Sequence, residues 1–271
     1  MVLVFSDIIV VGFSRVANEC AKIASEFFAK SALRVSFKEE LGASLVLKKD
    51  ERDSYFNSLR NALIISANNF YIFKPECIQN NLIINYHNAL LPRHKGVNAH
   101  VWAVYEGDAS AGISWHIVDS GIDTGGIISQ RALELTRDMS AARLLLAQHT
   151  LAISSLKETL ERLKEASYDR DKFKPAKGGE YHGLRDLPGG GVLDLNASFD
   201  EIRRLLLAYD VGAFRGALPR LRTQYLDKQR EVLFYQMGED VINVSLSDDL
   251  NVKIAKNSQK NCREGGGSTG I

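Results

Sequence analysis

The stretch Leu82-Ile83-Ile84-Asn85-Tyr86-His87-Asn88-Ala89-Leu90-Leu91-Pro92-Arg93-His94-Lys95-Gly96 opens as an apolar run and closes in polar residues. A short apolar run without strict alternation predicts a strand buried on both faces, as in a parallel sheet. Ala62-Leu63-Ile64-Ile65-Ser66 has the same character upstream. So does Ile8-Ile9-Val10-Val11-Gly12-Phe13, which leads through Ser14-Arg15-Val16-Ala17 into a helical pattern reaching Ala29. Short strands are expected at 33–37 and 44–47, and a helix at 51–60. Strands alternating with helices predict an α/β layer. Ligands of such sheets bind at the carboxyl ends of the strands, which puts the site near residues 66–71 and 85–87. Gly12 stands alone, too few glycines for a dinucleotide fingerprint.

Downstream, the pattern predicts a helix over 98–105, a turn at Gly107-Asp108, and a strand over 112–118. The loop Asp119-Ser120-Gly121-Ile122-Asp123-Thr124-Gly125-Gly126 is glycine-rich, and a short strand is expected at 127–130. Leu144, Leu145, Ala152, Leu156, Leu160 and Leu163 recur at helical spacing and predict a long amphipathic helix over 140–163. An exposed apolar face on it would mark a homodimer interface. Charged and then glycine-rich sequence marks a crossing at 169–191. Beyond it, Ser198 followed by Glu201 reads as a capping box opening a helix to Tyr209, and short strand-like pieces fill 232–256. The expected division is a main domain at 1–168, a linker at 169–191, a small second domain at 192–255 and a disordered tail at 256–271.

Composition excludes several classes. Hydrophobic residues are 45% and charged residues 25% of the 271, which rules out a disordered body. Lys and Arg number 34 against 33 Asp and Glu, so the chain does not wrap nucleic acid by bulk charge. Cys20, Cys77 and Cys262 are odd in number and far apart, which gives neither a disulfide framework nor a zinc site. The amino terminus lacks the basic start of a signal peptide, and no apolar run approaches the roughly 18 residues of a membrane span. A cytoplasmic protein without a membrane partner is expected.

Asn85 and His87 are two apart on a strand, so they share a face, about 6 to 7 Å apart. Asp123, in a loop after a later strand, is placed to meet His87. An amide, an imidazole and a carboxylate together suit acyl transfer without a covalent nucleophile. The pattern resembles the folate-dependent formyltransferases, the family of glycinamide ribonucleotide transformylase and methionyl-tRNA formyltransferase. Their Asn-x-His, Leu-Leu-Pro and basic-Gly signatures are met by Asn85, His87, Leu90-Leu91-Pro92 and Lys95-Gly96. Their later Asp-x-Gly is met by Ile122-Asp123-Thr124-Gly125.

That resemblance implies a Rossmann-like formyltransferase domain with a smaller C-terminal α+β domain. It implies transfer of formyl from N10-formyltetrahydrofolate to a primary amine, with tetrahydrofolate as product and no metal. Asn85, His87 and Asp123 are the implied catalytic residues, with Asp123 orienting His87 and favouring its charged form. The implied folate contacts are Tyr71, Ile72 and Phe73, gripping mainly by backbone, with Val118, Asp119, Gly121 and Ile122 closing the other side. Trp115 and His116 are expected to pack, and His94 and His100 to lie at the surface or behind the site. The Ser14–Ala17 turn lacks a phosphate-cradling pattern, which disfavours glycinamide ribonucleotide. The favoured acceptor is an amino acid or carrier-bound aminoacyl group of natural-product assembly, ahead of a nucleotide-linked amino sugar and then methionyl-tRNA, the one nucleic-acid partner left open. A hydrolase releasing formate and a silent folate-binding module are the rivals. Arg203, Arg204, Arg215, Arg220 and Arg222 form a local basic set suited to any acidic partner.

Overall fold

The computed structural model describes residues 5–175, 177–212 and 218–256. These divide into two compact units: the described parts of Met1–Ala99, Ser110–Glu134 and Leu145–His182, and those of His100–Ala109, Leu135–Leu144 and Gly183–Ile271. The segment 169–191 spans the step between them at His182/Gly183.

In the first unit the apolar runs become β1 (Ile8–Gly12), β2 (Leu33–Ser36), β3 (Leu45–Val46), β4 (Leu63–Ala67) and β5 (Leu82–His87), all parallel. Two longer strands extend the sheet, β7 (Ser110–Ile117) antiparallel to β5 and β8 (Ile127–Glu134) antiparallel to β7, giving the order β3-β2-β1-β4-β5-β7-β8. The first five strands follow the Rossmann-like order. Every residue of β1 and β4 is buried, which explains their unbroken apolar reading. Helix α1 (Ser14–Phe28) and the Ala152, Leu156, Leu160 and Leu163 stripe of α5 (Ala141–Glu165) cover one face of the sheet. Helices α2 (Arg52–Ser58) and α3 (Pro75–Asn80) bury Phe56, Cys77 and Ile78 on the other. The apolar stripe of α5 is therefore spent on the core, with Leu146 left exposed.

The sequence reading missed three short elements. Helix α3 starts with proline at its first turn, where the missing N–H costs nothing. The two-residue strands β6 (Lys95–Gly96) and β9 (Tyr181–His182) pair in parallel and are too short to leave a periodic signal.

The second unit holds most of α4 (Ala99–Glu106), then α6 (Phe199–Tyr209) and the antiparallel sheet β10 (Arg222–Tyr225), β11 (Lys228–Met237), β12 (Val241–Leu246) and β13 (Asn251–Ala255). Phe199, Ile202, Leu206, Ile242, Val244 and Ile254 form its core. The Ser198/Glu201 capping box is present, and the sheet begins about ten residues earlier than the sequence suggests. The arginines do not form one basic face. Arg203 is buried and paired with Asp138, Arg220 faces Glu231 at 3.7 Å, and Arg215 lies outside the described residues. The tail beyond Lys256 also lies outside them. No helix among the described residues is long and apolar enough to cross a membrane.

Candidate active site

Three strands bring the polar residues together by register. Ser66 on β4 stands opposite Asn85 on β5, and Asn85 stands opposite His116 on β7. Ser66 Oγ donates to Asn85 Oδ1 at 2.7 Å, and Asn69 Nδ2 donates to Ser66 Oγ at 3.2 Å. With its oxygen engaged, the Asn85 amide turns Nδ2 toward His116 Nε2, 3.1 Å away. His116 Nδ1 lies 2.9 Å from the Ile117 carbonyl. A carbonyl only accepts, so Nδ1 carries the proton, and in the neutral ring Nε2 accepts from Asn85. The second Asn85 N–H takes no partner among the described residues.

Buried side chains fix the turn that follows β5. Ser114 Oγ donates to the Ala89 carbonyl and accepts from Leu91 N–H, Gln130 Nε2 donates to the Leu91 carbonyl, and Gln148 Nε2 donates to Asn88 and Gly112. On this turn His87 Nε2 donates to the His94 carbonyl at 2.8 Å, which leaves Nδ1 bare in the neutral ring. That nitrogen faces Asp123 Oδ2 at 3.4 Å, while Asp123 Oδ1 faces His116 Nε2, also at 3.4 Å. Gly96 N–H donates to Asp123 Oδ2 at 2.8 Å. Asp123 sits in the left-handed region with φ 52°, and the backbone around it is crowded. A Cβ on Gly125 would lie 1.9 Å from the Ile117 carbonyl oxygen, and one on Gly126 2.3 Å from that of Phe173.

Electrostatics set the protonation states. Burial pushes the Asp123 carboxyl up, but the His116 and His87 rings and the Gly96 amide outweigh it and hold it at about 2. The group is an ionised carboxylate at neutral pH. Burial pushes the His87 imidazole down, and the Asp123 charge only partly opposes it. Asp123 does favour charged His87, as expected from the sequence, but desolvation of the buried ring outweighs it and the net shift is downward. Bare His87 Nδ1 and ionised Asp123 Oδ2 face each other as two acceptors, a pair built to take up one proton.

The structure therefore brings Asn85, His87 and Asp123 together and adds His116, which the sequence reading placed among packing residues. The signal for His116 lay in strand pairing, since its register partner is Asn85. Trp115, its neighbour, does pack: it is fully buried, with its indole N–H donating to Ser155.

The segment expected to hold folate divides differently. The Tyr71 ring stacks on Phe56 with centroids 4.9 Å apart, and its hydroxyl donates to Asp53. Its N–H and carbonyl are both taken by the Asn69 side chain. Phe73 is buried in the same cluster, as is part of Val118, whose N–H donates to Ile83. The Gly121 N–H is taken by Asp119 Oδ1, which also accepts from Thr124. The Ile72 and Phe73 main-chain groups make no hydrogen bond to other described residues, and Phe70, Ile72 and Ile122 are exposed. At the start of α1 the Glu40 carboxylate accepts from Ser14 N–H, so an acidic side chain occupies the position a phosphate would take.

The formyl transferase family model matches residues 8–160, more than half of the chain. This chain belongs to that family. It is 30% identical over 125 residues to the GDP-perosamine N-formyltransferase of Brucella melitensis, covering 46% of this chain and 47% of that protein. It is 30% identical over 127 residues to the methionyl-tRNA formyltransferase of Desulfotalea psychrophila, covering 47% of this chain and 39% of the relative. The chain thus spans about half the length, or less, of these curated relatives. The N-formyltransferase from Helicobacter canadensis, solved with folinic acid and dTDP-3-aminofucose, superposes with a TM-score of 0.68 at 17% identity, covering 92% of this chain and 98% of that one. HypX from Aquifex aeolicus in complex with tetrahydrofolic acid superposes at 0.64 and 13% identity, covering 93% of this chain and 46% of the other. Both superpositions cover more than nine-tenths of the present chain.

Proposed function

We propose that this chain moves a formyl group from N10-formyltetrahydrofolate to the amino group of a nucleotide-linked sugar, releasing tetrahydrofolate. The observation that carries the reading is the pairing of a fixed Asn85 amide, one N–H still open, with the proton-accepting His87 and Asp123 pair. The folate donor supplies an activated formyl carbon. Asn85 hydrogen-bonds the formyl oxygen as negative charge develops there. His87 Nδ1 and Asp123 Oδ2 take the proton shed by the attacking amine and pass it to N10 of the folate as the bond between N10 and the formyl carbon breaks, so that tetrahydrofolate leaves neutral at N10 and the pair is restored. His116 keeps the Asn85 amide turned to its task.

For the donor, the open main-chain groups of Ile72 and Phe73 suit the edge of a flat heterocycle, with Ile72 and Ile122 offering apolar contact. Tyr71, Val118, Asp119 and Gly121 are assigned to shaping this wall, since their polar groups are largely engaged within the protein. The amino sugar replaces the carrier-bound amino acid ranked first from sequence, because the sugar N-formyltransferases among the relatives support it. Methionyl-tRNA is the second reading, supported by relatives of that activity over a smaller share of their length.

Tetrahydrofolate release, followed by absorbance, tests the acceptor. GDP- and dTDP-linked amino sugars are expected to drive release; carrier-bound amino acids are not. Release driven only by methionyl-tRNA would replace the acceptor, and release without any amine would replace transfer by hydrolysis.

A further inference from the structure

Two main-chain groups orient the catalytic pair, and both come from one turn. The His94 carbonyl holds His87 Nε2 at 2.8 Å, and the Gly96 N–H holds Asp123 Oδ2 at 2.8 Å. A shift of this turn therefore misaligns both groups at once. The turn is not relaxed by itself, because His94 sits at φ 51°, a left-handed conformation that disfavours a residue with a Cβ.

What restrains the turn is the strap 178–182. Lys95 N–H donates to the Glu180 carbonyl and Val97 N–H to that of His182, each at 2.9 Å. Lys95 Nζ donates to the Gly178 carbonyl at 2.7 Å. The strap lies so close that a Cβ on Gly179 would stand 1.7 Å from the Pro92 carbonyl oxygen, and one on Gly96 2.2 Å from that of His182. A contact between two side chains joins this lattice as well: His94 Nδ1 lies 3.3 Å from His182 Nε2, with the rings 24° from parallel and both residues buried.

We propose that His182, through His94, is a positioning residue for formyl transfer, fixing the turn whose carbonyl sets the His87 tautomer and whose amide aims Asp123. The role rests on the reading of the site as a formyltransferase centre. His182 touches neither reacting group, so its loss acts on alignment and leaves the donor wall at Ile72 and Phe73 unchanged.

The test compares His182→Leu with His182→Gln in the full chain. Glutamine reaches the position of the imidazole Nε2 and offers both a donor and an acceptor there. His182→Leu is expected to lower kcat about 10- to 100-fold with KM for donor and acceptor within about threefold, since misplacement by an ångström costs on that order. His182→Gln is expected to recover most of the loss. Histidine nitrogen resonances supply a readout independent of turnover: His87 is Nε2-protonated in the wild type and in His182→Gln, and a tautomer mixture in His182→Leu. A His87 tautomer unchanged in His182→Leu overturns the proposal whether or not transfer occurs, as does a glutamine variant as impaired as the leucine one. A wild type without turnover whose variants still show the tautomer change would defeat the formyltransferase reading and leave the positioning role standing.

Discussion

Two stretches of the first unit, 85–96 and 69–73, lie at the carboxyl ends of the neighbouring strands β5 and β4 and use their residues in opposite ways. In the first, side chains do the chemistry: Asn85 and His87 face the site while Ser114, Gln130 and Gln148 fix the turn behind them. In the second, the Tyr71 and Phe73 side chains turn into the core and the open groups belong to the backbone of Ile72 and Phe73. The first stretch should tolerate almost no substitution at its reactive positions. The second should tolerate many, because a main-chain contact survives a change of side chain.

The largest effect is expected at Asp123, which meets the first stretch through His87 and the Gly96 N–H. Asp123→Asn keeps the shape but removes the charge that accepts the amine proton, and kcat should fall about 10³- to 10⁴-fold, the scale of losing a buried orienting carboxylate. Single-turnover transfer with folate affinity measured in parallel checks it; a loss under tenfold would break the comparison. Asn85→Ala should cost about 10²- to 10³-fold in kcat, as for removal of one donor to a developing oxyanion. His116→Leu should lower kcat about 10- to 100-fold through the freed Asn85 amide, with KM little changed. A His116→Leu variant with full kcat would return the residue to the packing role read from sequence.

Acid stability separates the buried polar side from the rest of the unit. Burial pushes the His149 imidazole down to about 4, and its Nε2 has no hydrogen-bond partner among the described residues. The unfolded chain protonates this histidine near its usual 6.5, so stability is highest above that pH and falls as pH drops from about 6.5 to 4. His87, shifted in the same direction, adds to the loss. Asp123, held at about 2 against its usual 3.8, protonates earlier in the unfolded chain. Its contribution is full above about 4 and lost as pH falls from there to 2; His149 and Asp123 are each worth about 2 to 3 kcal/mol. Urea midpoints at pH 7, 5 and 3 check this, and His149→Gln should flatten the slope between 6.5 and 4. The smallest effect belongs to the folate wall: Tyr71→Phe loses the bond to exposed Asp53, about 0.5 to 1 kcal/mol of stability, with folate affinity measured by calorimetry unchanged.

The same contrast explains what was legible in sequence. Strands β1, β4 and β5 announce themselves because burial on both faces demands unbroken apolar runs, and Asn85, His87 and Asp123 because side-chain chemistry needs particular residue types at fixed spacing. His116 was hidden because its partner Asn85 is 31 residues away and meets it only across β5 and β7. The β6 and β9 pair was hidden because two-residue strands carry no period, and the state of His87 because desolvation cannot be read before the ring is seen to be buried. The backbone work of Ile72 leaves no signature, since any residue carries the same amide.

The most direct test of the account is tetrahydrofolate release from N10-formyltetrahydrofolate with a nucleotide-linked amino sugar, in wild type and Asn85→Ala. Release is expected to depend on the amine, to yield one N-formyl sugar per tetrahydrofolate and to fall about 10²- to 10³-fold in the variant. Amine-dependent release that survives Asn85→Ala undiminished would contradict it.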